Sequence, residues 1–125
     1  MDMKKERSLL LGKSEAFAGR IIRMYQYLTS QKHELIISKQ VLRSDTSIGA
    51  NVTESRNAQS TADFIHKLNI ALKEADETLY WIKSLHEGGY LNEKEYVSIY
   101  NDADELVKIL VSSIKTLKKK SGIQV

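Results

Sequence analysis

The sequence predicts an all-α protein, an antiparallel up-down-up-down four-helix bundle, and three observations carry that expectation. Apolar residues recur three and four positions apart along four long segments, the period that gathers them on one side of a helix. Proline is absent from all 125 residues, so the commonest helix breaker is missing. The segments are separated by short polar stretches of the length usual between bundle helices, which makes successive helices antiparallel.

The first dozen residues mix Lys4, Lys5 and Arg7 with Leu9, Leu10 and Leu11 and fit no single period. Residues 1–12 are therefore expected to form an N-terminal arm, with the bundle over 13–121 and a tail over 122–125. The first helix is expected to start near Ser14, whose hydroxyl has the chemistry of an N-cap, with Gly12 just outside. Phe17, Ala18, Ile21, Met24, Tyr25 and Leu28 then form its core stripe, and Thr29 to His33 connect it to the second helix, expected over Glu34 to Ala58.

That second helix has an unusual composition. Ser44, Asp45, Thr46, Ser47, Asn51, Thr53 and Ser55 each give up a few tenths of a kcal/mol against Ala, and Gly49 about 1 kcal/mol. Val41, Leu42, Ile48 and Val52 still keep a helical beat, so the segment reads as one core stripe beside a small, polar face. Such a face suits the close approach of another helix, inside the bundle or across a subunit boundary.

The third helix follows Ser60, with Asp63 three residues on in the spacing of a capping box. Phe64, Leu68, Ala71, Ala75, Leu79, Ile82 and Leu85 give its stripe, which Ile65 and Leu72 widen, and Gly88-Gly89 stops it. Asn92 and Glu95 form a second capping box, with Leu91 and Tyr96 placed as a hydrophobic staple. The fourth helix carries Ile99, Tyr100, Ala103, Leu106, Val107, Leu110, Ile114 and Leu117, and its terminal lysines suit the negative end of the helix dipole.

Charge is modest in total, +3 with a pI near 9.0, but uneven, since residues 1–33 carry seven basic and three acidic side chains. Alternating helix direction brings the start of helix one and the end of helix four to one end of the bundle, so Lys4, Lys5, Arg7 and Lys13 are expected near Lys115, Lys118, Lys119 and Lys120. Further basic candidates are Arg20 and Arg23 on helix one and Lys108 on helix four. Phosphate contacts need only charge and reach. No aromatic side chain is interleaved with the lysines as a base-stacking platform would require, so any nucleic-acid binding is expected to be weak and not sequence-specific.

Enzymatic and metal chemistry find little support. The absence of cysteine excludes disulfides and thiolate ligands and agrees with a reducing, cytoplasmic location, and no apolar run of 18 residues suggests a membrane span. A di-metal bundle needs paired Glu-x-x-His motifs, whereas the chain offers only Asp63-x-x-His66, with His33 and His86 at or near loops. No phosphate-binding glycine loop is present. No cofactor, metal or catalytic residue is expected.

The run from Leu42 to Glu54, with Leu42-Arg43, Ser47-Ile48-Gly49-Ala50-Asn51 and Glu54, resembles the bacterial four-helix-bundle family of 23S rRNA intervening-sequence proteins, often labelled S23 ribosomal protein. The likeness continues through Gln59 to Phe64, Ile70 to Thr78, Trp81 and Gly89-Tyr90-Leu91, and covers about Ser14 to Lys118. Thr53 stands where an Ala is common. The resemblance implies a cyclic homo-oligomer, typically a pentamer. It also implies kinship with accessory proteins of diversity-generating retroelements, which bind a reverse transcriptase and nucleic acid through a more strongly basic surface. A heterologous ring contact would use two different patches. Its candidate residues are Arg43, Ser47, Gly49, Asn51 and Glu54 on helix two with Glu74, Glu77 and Trp81 on helix three, where Arg43 is placed to pair with Glu74 or Glu77.

Two roles are consistent with these residues. The first is a non-enzymatic, ring-forming accessory protein with weak binding to RNA or DNA through Lys13, Arg20, Arg23, Lys108, Lys115, Lys118, Lys119 and Lys120. The second is a protein-interaction scaffold of the same shape with no nucleic-acid role.

Overall fold

The computed structural model describes residues 3–122, with the Met3 side chain left aside. Over that span the chain forms α1 (Met3–Ser30), α2 (Ile37–Ser55), α3 (Thr61–Glu87) and α4 (Glu93–Lys120), with no strand among the described residues. Each helix packs on its sequence neighbours and α4 closes back on α1, while the backbones of the diagonal pairs stay apart, so the four stand at the corners of a square. The α2–α3 side is the most closely packed and the α1–α4 side the most open. Inside lie Phe17, Ile21 and Leu28 of α1, Val41, Ile48 and Val52 of α2, and most of the predicted stripes of α3 and α4, with Leu72, Tyr100 and Val107 half-buried at their margins. Leu79 is only half-buried, and Thr78 is fully enclosed in its place.

α1 begins at Met3 and runs unbroken through residues expected to form an arm. The reason is tertiary. Leu10 is buried in the core with Leu11 packed against it, and burying one leucine contributes about 1.5–3 kcal/mol, which exceeds the roughly 1 kcal/mol that Gly12 costs inside a helix. Ser14 is therefore not a cap. Its buried hydroxyl donates to the Leu11 carbonyl at 2.9 Å. Of the expected tail, residues 123–125 lie outside the described residues.

α2 starts at Ile37, three residues later than expected, because its cap is a side chain lying before the helix. Ile36 occupies the N-cap position and has no capping oxygen. The chain turns at His33, in the left-handed region with φ 55°, and Glu34 folds in, 6 % exposed. Its carboxylate accepts the backbone N–H of Ile36 at 3.0 Å, Ile37 at 3.1 Å and Ser38 at 2.6 Å. Burial alone would raise the Glu34 pKa, but those N–H donors, Ser38 foremost, outweigh it and hold the carboxyl below its ordinary value.

The ends of α3 and α4 follow local chemistry. Ser60 Oγ accepts the Asp63 N–H at 3.1 Å, while the Asp63 carboxylate reaches Gln59 N rather than Ser60 N, so only one arm of that capping box closes. Both arms close between Asn92 and Glu95. Gly89 takes φ +82° after α3, with Gly89 N–H on His86 O and Tyr90 N–H on Leu85 O, a Schellman closure that a left-handed glycine permits.

Candidate nucleic-acid and subunit interfaces

The antiparallel order gathers the start of α1, the end of α2, the start of α3 and the end of α4 at one end. Two observations fix this placement. The Arg7 guanidinium lies 4.3 Å from the centre of the Phe64 ring, and Glu6, Ser55, Leu68 and Ser113, one from each helix, line a common cavity. Lys4, Lys5 and Arg7 thus share an end with Arg56, Lys115, Lys118, Lys119 and Lys120, against few acids. Arg56 is exposed and belongs to this group. Sequence reasoning passed over it because it follows a helix whose charges sum to zero over residues 34–58.

Along the α1–α4 side the predicted basic row is differently disposed. Lys13 pairs with Glu105 at 3.0 Å, Arg20 with Asp102 at 2.6 Å, and Lys108 with Asp104 at 3.0 Å. Arg20 also donates to the backbone oxygen and hydroxyl of Ser98. Lys13 and Arg20 are thereby ties between the two least closely packed helices, and their charge is locally matched. Arg23 and Lys94 make no ion pair among the described residues and face a groove of about 430 Å³, whose apolar surface comes from Met24, Leu91 and Ile99, with Tyr27 at its edge.

On the α2–α3 side, Arg43 reaches both predicted carboxylates, bonding Glu77 and approaching Glu74 at 3.5 Å. That approach has the range of an ion pair but not the geometry of a hydrogen bond, since one Glu74 oxygen stays buried without a partner. Trp81 Nε1 donates to Glu77 at 3.2 Å, and Glu54 meets Lys67 at 3.7 Å. Arg43 is half exposed, so these contacts position side chains more than they stabilise the fold.

The small residues of α2 divide into two sets. Ser44 is fully buried and shares a 2.7 Å hydrogen bond with Thr78 Oγ, so the close approach expected of this helix occurs there, within the chain. Gly49 is different. A Cβ added to it would meet nothing within 4 Å, and the half-buried Ser47 and Asn51 bond only to each other, Asn51 Nδ2 donating to Ser47 O. Gly49 therefore borders open space, while Ser47 and Asn51 flank the buried stripe half-covered by their own bundle.

Large apolar side chains are exposed at the end opposite the basic one. Leu35 and Ile36 lie bare in the α1–α2 connection, and Tyr80, 62 % exposed, stands edge-on to Trp81 at 4.9 Å.

Asp45, which the sequence groups with the small, polar face of helix two, instead occupies a core position of α2. It is 3 % exposed, makes no hydrogen bond or ion pair among the described residues, and burial pushes its carboxyl up to about 7. Among those residues no three His, Asp or Glu side chains converge as a metal site would require, and no helix is long and apolar enough to cross a membrane.

Comparison with known proteins agrees with this architecture. No curated protein matches the chain. A crystal structure of a protein of unknown function from the S23 ribosomal protein family of Bacteroides thetaiotaomicron VPI-5482 is similar at 50 % identity, over 88 % of this chain and 98 % of that one, with a TM-score of 0.86. The family model for 23S rRNA-intervening sequence proteins matches residues 6–112. With four helices in the predicted order and a match across most of its length, the chain belongs to the 23S rRNA-intervening sequence protein family.

Proposed function

We propose that this protein is a non-enzymatic accessory protein that assembles into a homo-oligomeric ring and binds RNA or DNA weakly, without sequence preference. The observation that carries the reading is the basic end. Lys5 and Arg7 of α1, Arg56 just past α2, and Lys115 and Lys119 of α4 are exposed and share one end only because the helices alternate in direction. Lys13, Arg20 and Lys108, matched by carboxylates, contribute less. Copies arranged around an axis would present several such ends to one strand and raise a weak contact by effective concentration.

Fluorescence anisotropy with mixed-sequence RNA and duplex DNA, from about 50 to 300 mM salt, tests this reading. Affinity should fall steeply with salt, and the Lys115→Ala, Lys118→Ala, Lys119→Ala triple variant should flatten the logarithmic slope by about 2–3 on duplex DNA. Background signal at the lowest salt would eliminate the nucleic-acid role and leave the interaction scaffold.

Two surfaces support assembly. Tyr80 and Trp81 lie on the α2–α3 side, and the groove edged by Tyr27 lies on the α1–α4 side, opposite across the square and at the same end. Different patches on opposite faces favour a head-to-tail contact, the kind that closes into rings, and the pentamer typical of the resemblance is such a ring.

Sedimentation equilibrium of Tyr80→Glu and Tyr27→Glu should give monomers from each variant alone. An equimolar mixture should recover a heterodimer and nothing larger, because each variant keeps one intact patch. A monomeric wild type would refute assembly, and oligomeric variants would refute these faces.

A further inference from the structure

A small cavity lies where the four helices converge at the basic end, bounded by Glu6 of α1, Val52 and Ser55 of α2, Leu68 of α3 and Ser113 of α4. It leaves about 10 Å³ for the centre of a water-sized molecule, enough to admit one. Two of the lining side chains carry buried polar atoms with no hydrogen-bond partner among the described residues, Glu6 Oε2 and Ser113 Oγ. Ser113 is the exception among the buried hydroxyls. Ser14, Ser38, Ser44, Ser55 and Thr78 each donate to a carbonyl one turn back in the chain, whereas Ser113, 2 % exposed, does not. A helical serine that forgoes that bond while buried needs another partner.

We infer that this cavity is a binding site for a single water molecule, which donates to Glu6 Oε2, accepts from Ser113 Oγ and so ties the start of α1 to the end of α4. Charge selects the ligand. The guanidinium-bearing Arg7 and Arg56 in the lining disfavour a cation, and the Glu6 carboxylate disfavours an anion. A neutral molecule that both donates and accepts satisfies both atoms. Ser55 can take the second hydrogen, because its own proton is committed to Val52 O at 2.6 Å. Lys5 and Arg7 ride on the first turns of α1, and Lys115 and Lys119 on the last turns of α4, so the bridge sets the spacing of the basic end.

A crystal structure of the wild type should show one water in hydrogen-bond contact with Glu6 and Ser113. Oxygen-17 relaxation dispersion should count one long-lived water fewer in the Glu6→Leu, Ser113→Val double variant, whose cavity is apolar and filled. Clear density with the cavity dry, or with Glu6 turned onto Arg7 or Arg56 and Ser113 bonded to the Ile109 carbonyl, would overturn the assignment, as would equal water counts. If the double variant does not fold, the wild-type density decides alone.

Discussion

Replacing Asp45 with Asn should stabilise the protein at pH 8 by about 2–3 kcal/mol and change it little at pH 4. The carboxyl lies in the buried stripe of α2 without a partner among the described residues, and burial raises it from 3.8 to about 7. A group whose folded pKa lies above its unfolded value contributes stability that is fully present below the unfolded pKa and is lost as pH rises through the folded one. For Asp45 the loss therefore runs from about pH 4 to about pH 7 and levels off above. At 1.36 kcal/mol per pH unit the full shift corresponds to at most about 4 kcal/mol, and relaxation around an ionised carboxylate reduces it. Asn keeps the shape and cannot ionise. Urea unfolding of both proteins at fixed concentration, at pH 4 and pH 8, gives the difference directly, and equal midpoints at pH 8 would show that Asp45 ionises without cost.

Asp45 also marks where the sequence was readable and where it was not. Ser38, Val41, Asp45, Ile48, Val52 and Ser55 follow the three-and-four spacing of one buried stripe, so Asp45 was discoverable by continuing the period through its polar members. Attention to the small residues as a separate face concealed it. The starts of α3 and α4 were legible because Ser60 and Asn92 act on N–H groups three residues away. The start of α1 was not, since Gly12 and Ser14 look locally like a boundary and only the distant core that receives Leu10 overrides them. Arg43 was readable as a partner of Glu74 or Glu77 because α2 and α3 are consecutive and antiparallel. The tie from Arg20 to Asp102 spans 82 positions and depends on how α1 and α4 rotate about their axes, which periodicity does not specify.

The start of α2 yields the second large effect. Glu34→Ala should destabilise the protein by about 2–4 kcal/mol at pH 7, more than the roughly 1 kcal/mol typical of losing a helix cap, because one carboxylate serves three backbone N–H groups and two of those bonds are 3.1 Å and 2.6 Å to residues inside the helix. Hydrogen bonds to a charged acceptor contribute about 1.5–3 kcal/mol, and neither Ile36 nor Ile37 offers a replacement oxygen. Glu34→Gln retains one acceptor and should recover part of the loss. Here the pH dependence has the opposite sign to that of Asp45. A carboxyl held below its ordinary value contributes stability present above the unfolded pKa, near 4.5, and lost as pH falls through the folded one. The gap between wild type and Glu34→Ala in urea unfolding should therefore stay constant from pH 6 to pH 8 and narrow below pH 4. Amide hydrogen exchange separates this origin from a general loosening. The N–H groups of Ile36, Ile37 and Ser38 should lose protection first, and a variant in which α3 exchanges as early as the start of α2 would mean that Glu34 supports the bundle through packing rather than through its carboxylate.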